Sequence, residues 1–275
     1  MRRFVAIAIA ACTACGSGGD APPASASAAR VVAITPSATE VVAALGATAS
    51  LVGVDDYSQF PREVAALPKV GSFLQPNLEA IVALRPTLVV LDDVHGQAAG
   101  ALRDAHVDVV AAPMHTLPDV KSALRAVAAK LGRARDAERA IADIDRALAA
   151  AAARKPARHP RVLVVIDREA DGIGGLVAAG PGSTIDELLA VVGGDNVLAY
   201  TGARYPKISV EEVLRAEPEV ILDLSFAGKA SIAPWQSIDV PAVAAHRVIA
   251  LSDDYLLHPS PRVAEALDAL ARAIR

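Results

Sequence analysis

Cysteine is nearly absent from this chain. Its 275 residues include two cysteines, Cys12 and Cys15, and both lie near the N-terminus. The rest of the chain therefore has no disulfide to cross-link its fold and no thiol that could act as a nucleophile. A hydrophobic core must stabilise the fold instead, and 53% of the residues are hydrophobic. A chain of this length and composition can form two domains of ordinary size.

The chain also lacks a large excess of charge of one sign. The net charge is −4, with both signs interspersed along the chain. No cluster of lysine or arginine is interleaved with aromatic residues, so the pattern typical of a nucleic-acid-binding protein is missing. We therefore expect no nucleic-acid partner.

Long hydrophobic runs are absent as well. The apolar run from Phe4 to Ala11 follows Arg2 and Arg3, and it is much shorter than the roughly 20 residues that span a bilayer. A charged start followed by a short apolar run predicts an export signal. We assign residues 1–15 to this signal and residues 16–29, rich in Gly, Ser, Ala and Pro, to a flexible tether.

The two cysteines lie where a lipid anchor is expected. Their setting among small residues resembles a bacterial lipoprotein signal, in which a cysteine is lipidated after cleavage. Cys12 fits the pattern better, whereas Cys15 directly precedes the Gly/Ser run. The expected protein is extracytoplasmic and held at the membrane by its acyl chain alone. The alternative is a plain secretory signal with incidental cysteines.

Catalytic and metal-binding motifs are missing too. None of the six histidines has the spacing that places two metal ligands on one helix face. No nucleophile elbow, P-loop or dinucleotide fingerprint occurs. Acidic pairs that follow strands are expected to cap the next turn or helix, with metal binding or paired-carboxylate catalysis as the alternative; these are Asp55/Asp56, Asp92/Asp93 and Asp253/Asp254. We predict no catalytic residue, no resident metal and no cofactor.

What is present is an internal repeat. The stretch PNLEAIVALRPTLVVLD (residues 76–92) recurs as ISVEEVLRAEPEVILDL (residues 208–224), which aligns Glu79 with Glu211. A second pair, SATEVVAALGA from Ser37 and TIDELLAVVGG from Thr184, is displaced by one indel. A repeat period above 130 residues predicts two similar lobes, and a cleft between lobes is a favoured place for a ligand.

Apolar strands alternate with helical patterns in both halves. This alternation predicts an α/β fold of two Rossmann-like lobes with parallel sheets. We place the lobes at residues 30–117 and 156–275. Residues 118–155 are the connecting helices, and one long helix after Gly132 is expected to brace the lobes. The first helix is predicted to start at Ser37, with Glu40 in capping-box spacing.

Aromatic residues make up only 3% of the chain. Eight follow the signal region, and nearly all lie outside the periodic segments; they are Tyr57, Phe60, Phe73, Tyr200, Tyr205, Phe226, Trp235 and Tyr255. Loops at the carboxyl ends of parallel strands line ligand crevices. Rings there suit a large, flat, partly apolar ligand, although some of them are alternatively expected to cap the sheet ends. His95 and His115 also follow strands. We expect them to be axial metal ligands or, alternatively, hydrogen-bonded side chains.

Glu79 and Glu211 occupy equivalent places near the start of a short helix. A carboxylate in the first turn complements the helix dipole, which alone explains such a residue. One carboxylate on each lobe would alternatively form a two-point docking site for a partner with matched arginines.

Six segments together resemble one family. They are ITPSATEVVAALGA, LVGVDDYSQFP, NLEAIVALRPTLVV, AAGPGSTIDELLAVVGGDNV, YPKISVEEVLRAEPEVIL and PSPRVAEALDAL. The chain from Arg30 onward resembles the periplasmic binding proteins with a helical backbone, which deliver vitamin B12, haem and ferric siderophores to ABC importers. The likeness is greatest to the vitamin B12 binders. It implies a monomer that binds a cobalt- or iron-containing chelate, with small lobe movement, and docks on a permease dimer with its ATPase.

The resemblance also implies site residues. Glu79 and Glu211 match the two glutamates that pair with permease arginines. The expected ligand-binding residues are Ser37, Tyr57, Phe73, His95, Tyr205, Phe226 and Trp235. Haem binders carry a Tyr or His ligand just before the position equivalent to Glu79. This chain has the residues GSFL there, at positions 71–74. Arg168 and Arg204 keep an anionic siderophore open as the ligand. In another class, an extracytoplasmic enzyme with paired carboxylates or a purely structural lipoprotein remains the alternative.

Overall fold

The computed structural model describes residues 29–170, 172–226 and 229–275. The expected signal, both cysteines and nearly all of the tether lie outside these residues. No helix in the described ranges is long and apolar enough to cross a membrane.

The first lobe is built on a fully parallel four-stranded sheet with the order β2-β1-β3-β4. Its strands are β1 (Val31–Ala33), β2 (Leu51–Val54), β3 (Leu88–Leu91) and β4 (Asp108–Ala111). Its helices are α1 (Pro36–Ala44), α2 (Leu78–Ala83) and α3 (Gly96–Asp104). Helices between parallel strands make each connection a crossover, so the predicted α/β lobe is confirmed.

The start of α1 differs from the prediction. Thr35 and not Ser37 caps the helix, and its side chain accepts a hydrogen bond from Ala38 N at 3.0 Å. Pro36 follows at the first helical position, where a missing N–H costs nothing. The predicted Ser37/Glu40 capping box is therefore wrong, and Glu40 is free to contact residues elsewhere.

Two helices connect the lobes, α4 (Leu117–Leu131) and α5 (Ala134–Ala152). Gly132 ends α4 in the left-handed conformation, with φ of 66°. A stripe on α5 is buried, including Ala137, Ile141 and Ile144. The helix packs along α4, α6 and α9, and it is the brace that the apolar stripe predicts.

The second lobe holds a six-stranded sheet. Its strands are β5 (Arg161–Asp167), β6 (Leu176–Ala178), β7 (Asp195–Asn196), β8 (Lys207–Ile208), β9 (Val220–Asp223) and β10 (Val248–Ala250). Its helices are α6 (Thr184–Val192), α7 (Val210–Ala216), α8 (Pro241–Ala244) and α9 (Val263–Ala273).

This second sheet is mixed, so the expectation of a parallel sheet is wrong there. Strand β6 runs antiparallel to both β5 and β8, whereas β9, β10 and β7 follow the parallel pattern. The chain between β5 and β6 spans only residues 168–175. A parallel crossover needs about a dozen residues or more, so this short connection can only reverse the chain.

One apolar cluster runs through both lobes. It joins Val31 in β1 to Val164 in β5 through Leu124 in α4 and Ile141 in α5, all at most 5% exposed. Alternate residues of the same strands face two smaller clusters, such as Val32 in the first lobe and Leu163 in the second. Separation of the lobes would break the shared cluster, because hydrophobic packing is close and contiguous.

Candidate ligand-binding cleft

The edge of the first sheet collects several of the predicted site residues. Ser37 follows β1, Tyr57 follows β2 and His95 follows β3. Because the strands are parallel, their carboxyl ends lie on one edge, where ligand crevices form. Tyr57 is exposed there, whereas Ser37 is buried in the first turn of α1 and offers a ligand little surface.

Phe73 is presented by a tight turn before α2. Gly71 has a φ of 94°, and an added Cβ would lie 2.4 Å from Gln75 O, so only glycine suits this position. Ser72 and Gln75 exchange backbone hydrogen bonds across the turn. The ring of Phe73 lies near its tip and remains 37% exposed.

His95 packs against Phe73 and contacts its backbone. The two rings pack edge to face, with centroids 4.9 Å apart, and His95 Nε2 lies 2.7 Å from the carbonyl oxygen of Phe73. His95 Nδ1 faces Asp92 O at 3.2 Å. Both ring nitrogens therefore face backbone carbonyls, and the side chain is buried. His95 is placed to orient Phe73, and not to ligate a metal in the cleft.

Asp55 organises the loop that carries Tyr57. Its carboxylate accepts hydrogen bonds from Tyr57 N, at 3.0 Å, and from Ser58 Oγ. Lys69 Nζ donates to the carbonyl oxygens of Asp55 and Ser58 at 3.1 and 2.9 Å. Burial raises the pKa of Asp55. This acidic residue shapes its turn, which is the role expected for the pairs after strands.

A second acidic pair meets a histidine at the end of β3. His115 Nε2 lies 3.2 Å from Asp93 Oδ1 and 3.5 Å from Asp92 Oδ1. Burial and the neighbouring Asp93 raise the pKa of Asp92, and a hydrogen bond with Asp92 lowers the pKa of Asp93. Among the described residues, this is the one group of three with ligand atoms close enough, within 4.8 Å, to hold a metal ion. His115 pairing with the two carboxylates accounts for the same geometry.

Tyr205 lies on the wall of the second lobe, at a cavity of about 230 Å³. Thr184, Tyr255 and His258 add polar atoms to the lining, and Ile185 and Leu188 add apolar surface. Gly180 holds the Tyr205 loop close, because its N donates to Arg204 O at 2.8 Å and a Cβ there would lie 2.1 Å from Ala203 O. Tyr205 is 45% exposed, and desolvation among these groups raises its pKa. Its phenol is therefore neutral at neutral pH.

Phe226 follows β9 and is exposed, with Lys229 Nζ 4.7 Å from its ring centroid. Phe226 therefore lies at the carboxyl edge of the second sheet, on a strand parallel to β5. The placement suits a cleft residue of the kind that the loop position predicts.

Trp235 does not reach the cleft, and its assignment as a ligand-binding residue is wrong. Its side chain is 0% exposed in the core of the second lobe, and its Nε1–H donates to Asp223 Oδ2 at 2.9 Å. Arg168 donates to the same oxygen at 2.9 Å and is itself buried. A buried carboxylate needs such partners, so both large side chains turn inward. Arg168 is therefore unavailable to an anionic siderophore.

Arg262 is a residue of this region that sequence reasoning missed. Its guanidinium stacks between the rings of Phe60 and Tyr255, 3.9 and 4.5 Å from their centroids. It also lies 3.4 Å from Glu40 Oε1. Phe60 belongs to the first lobe and Tyr255 to the second, so Arg262 joins the two. The recurrence of Glu40 at Glu187 marks a repeated carboxylate but not its burial, so no pattern in the sequence points to Arg262.

Glu79 and Glu211 lie in the first turns of α2 and α7. Both are exposed. Hydrogen bonds from its own backbone N–H and from Ser209 lower the pKa of Glu211. The two carboxylates are thus exposed surface groups, one on each lobe.

Comparison with known proteins identifies the family. Residues 31–255 match the model of a family described as periplasmic binding protein. The chain belongs to this family. Such a protein binds a small ligand outside the cytoplasm and delivers it to an ABC transporter, and it is not an enzyme. The predicted family and the predicted absence of enzymatic function are thereby confirmed.

Three similar proteins show the range of this periplasmic binding protein's relatives. A vitamin B12-binding protein of Vibrio parahaemolyticus is 26% identical over 243 residues, 86% of each chain. The periplasmic heme-binding protein RhuT from Roseiflexus, solved in apo form, is 30% identical with a TM-score of 0.79 over 90% of this chain and all of that one. The periplasmic vitamin B12 binding protein BtuF of Vibrio cholerae is 25% identical, with a TM-score of 0.70 over 89% and 96% of the two chains.

Proposed function

We propose that this protein captures a cobalamin or related corrinoid between its lobes and delivers it to an ABC permease. The observation that carries the proposal is the pair of partly exposed rings Phe73 and Tyr205, one on each lobe, in a chain whose cores are almost wholly aliphatic. Exposed rings on supported loops give large contact area to a broad, partly apolar ligand at small entropic cost. The vitamin B12-binding relatives favour the corrinoid.

Haem is the second candidate, because several of the similar solved structures are heme-binding proteins. A haem iron needs an axial ligand from the protein. Residues 71–74 supply none before Glu79, and His95 has both ring nitrogens against backbone carbonyls. Tyr205 is a neutral phenol and would have to lose its proton to bind iron. The proposed corrinoid binding does not depend on an axial ligand from these residues.

A ferric siderophore ranks third. Of the two arginines considered, Arg168 is committed to Asp223, and Arg204, next to Tyr205 in the sequence, is exposed. Arg204 Nε donates to Gly182 O at 2.9 Å. One partly engaged guanidinium is a weak site for a strongly anionic chelate.

Docking and anchoring complete the proposal. We infer that Glu79 and Glu211 pair with basic residues of the permease dimer, and that an acyl chain on Cys12 or Cys15 holds the monomer at the membrane. Glu79→Ala combined with Glu211→Ala should weaken transporter binding and leave ligand affinity intact.

Metabolic labelling with palmitate tests the anchor. The label should be lost in Cys12→Ala and retained in Cys15→Ala; the reverse result would move the anchor to Cys15.

The decisive experiment compares ligands directly. The purified protein is titrated with cyanocobalamin, hemin and a ferric siderophore by calorimetry and visible spectroscopy. Saturable heat with cyanocobalamin at 1:1 stoichiometry is the expected result. A Soret shift with hemin and no heat with cyanocobalamin would replace the corrinoid by haem, and no response to all three would reject the ligand class.

A further inference from the structure

The helices α2 and α7 present matching surfaces. Residues 79–86 and 211–218 have the same degree of burial at every one of their eight positions. Ile81 and Val213 are buried at equivalent points, and Arg85 and Glu217 both adopt positive φ, 48° and 42°. The repeat therefore extends from sequence to the exposure of these eight residues and to the positive φ of one equivalent pair.

Each surface exposes an apolar side chain beside its glutamate. Val82 is 44% exposed and Leu214 is 41% exposed. Each lies three positions after Glu79 or Glu211, and residues with that spacing are neighbours on a helix surface. Neither glutamate forms an ion pair with another residue in the part of the chain that the structure describes. Both surfaces thus combine an available carboxylate with an adjacent branched apolar group.

The fold does not require this pairing. Packing explains why the buried positions are alike, but it does not require the large exposed part of Val82 and Leu214 to be apolar. A single exposed apolar residue needs no explanation, whereas a pair at equivalent points of two lobes does. The other exposed positions differ: Ala83 corresponds to Arg215, and Arg85 to Glu217. Only the carboxylate and the apolar group are kept.

We propose that Glu79 with Val82, and Glu211 with Leu214, form two equivalent two-residue docking points for the permease. Each carboxylate receives a guanidinium or ammonium group of the partner. Val82 or Leu214 then packs against the apolar stem of that side chain or an apolar neighbour, which excludes water from the ion pair. Two matching points suit a partner that presents the same basic and apolar element twice, as a two-fold symmetric dimer does. This inference rests on the docking role proposed above.

The test uses the cognate permease–ATPase complex, reconstituted in nanodiscs, with affinity measured for the whole binding protein. Val82→Ser and Leu214→Ser should each weaken docking about tenfold, and by similar factors, because each removes a comparable apolar contact. The pair Ala83→Ser and Arg215→Lys is the matched control, since both positions are exposed on the same two helices and Arg215→Lys keeps the positive charge near Glu211. It should dock nearly as the wild type. Calorimetry with cyanocobalamin and thermal unfolding should be unchanged in all variants.

The outcomes separate this inference from the function on which it rests. If Glu79→Ala/Glu211→Ala abolishes docking while Val82→Ser/Leu214→Ser docks normally, the apolar component is wrong and the docking role stands. If the glutamate variant also docks normally, both are wrong. Equal losses in the matched control would overturn the two-residue points as well, because any change on these helices would then suffice.

Discussion

Glu40 and Glu187 occupy equivalent positions in α1 and α6, and each contacts a segment outside its own lobe. Glu40 accepts hydrogen bonds from Ser260 Oγ and lies 3.2 Å from His258 Nε2. Glu187 Oε2 accepts from Leu117 N at 3.0 Å, at the start of α4. In both cases the contacted segment follows the last strand of a lobe and leads into the next helix, α9 for Glu40 and α4 for Glu187.

These contacts should differ in strength. Glu40 is 3% exposed and also faces Arg262, whereas Glu187 makes one bond to a backbone N–H at a less buried site. Glu40→Ala should lower the free energy of unfolding by about 3 kcal/mol, since it leaves Ser260 and Arg262 without this buried partner. Glu187→Ala should cost about 1.5 kcal/mol. Urea denaturation measures both, and equal effects would contradict the assigned difference in burial.

Phe73 should contribute strongly to ligand affinity. Phe73→Ala removes the exposed ring and should weaken binding of the chelate at least about tenfold, because aromatic anchors carry much of an interface's energy. Phe73→Trp enlarges the ring at the same turn and should retain or improve affinity. Calorimetric titration gives both values. Unaltered affinity in Phe73→Ala, with unchanged thermal unfolding, would remove Phe73 from the site.

Trp235 should matter for stability and not for ligand contact. Trp235→Phe deletes the hydrogen bond to the Asp223 carboxylate and part of the core volume, and should cost about 3 kcal/mol. Thermal and urea unfolding report this loss. Calorimetry on the folded variant should return the wild-type affinity; a stable variant with weakened binding would show that Trp235 reaches the ligand after all.

Asp223 should stabilise the fold above its unfolded pKa. Burial alone would raise the pKa of Asp223, but hydrogen bonds from Ser225, Trp235 and Arg168 outweigh it and lower the value below 3.8. A carboxyl with a lowered folded pKa contributes stability that is present above about pH 4 and is lost as the pH falls further. Asp223→Asn breaks the buried pair with Arg168, and should cost about 3 kcal/mol at pH 7. The loss should shrink in denaturation experiments below pH 4.

Asp92 should behave oppositely. Burial and Asp93 raise the folded pKa of Asp92 above 3.8. The contribution of Asp92 to stability is therefore present below about pH 4 and is lost as the pH rises through the folded pKa. Asp92→Asn keeps an acceptor for Val94 N. We expect the variant to be more stable than the wild type at pH 7. Denaturation between pH 4 and 7 tests this, and a destabilised variant at pH 7 would reverse the sign.

Much of the architecture was predictable from local pattern. The repeat places α2 and β3 132 positions before α7 and β9, with α2 beginning at Leu78 and α7 at Val210. Apolar runs specify buried strands, and the stripe on α5 specifies one buried helix face, because these depend on periodicity alone. The direction of β6 was missed, since it depends on how far a short connection reaches and not on the composition of the strand.

The site residues were likewise predictable in part from the sequence and in part only from the tertiary structure. The sequence alone determined that aromatic rings are rare, that Phe73, Tyr205 and Phe226 lie outside the periodic segments, and that Glu79 and Glu211 are equivalent. Only the tertiary structure decided which of these groups face outward. Trp235 and Arg168 turn inward because one buried carboxylate, Asp223, needs their hydrogen bonds, and Glu40 finds its partners more than 200 positions away. Such partnerships depend on which segments the fold brings together, and periodicity along the chain carries no record of them.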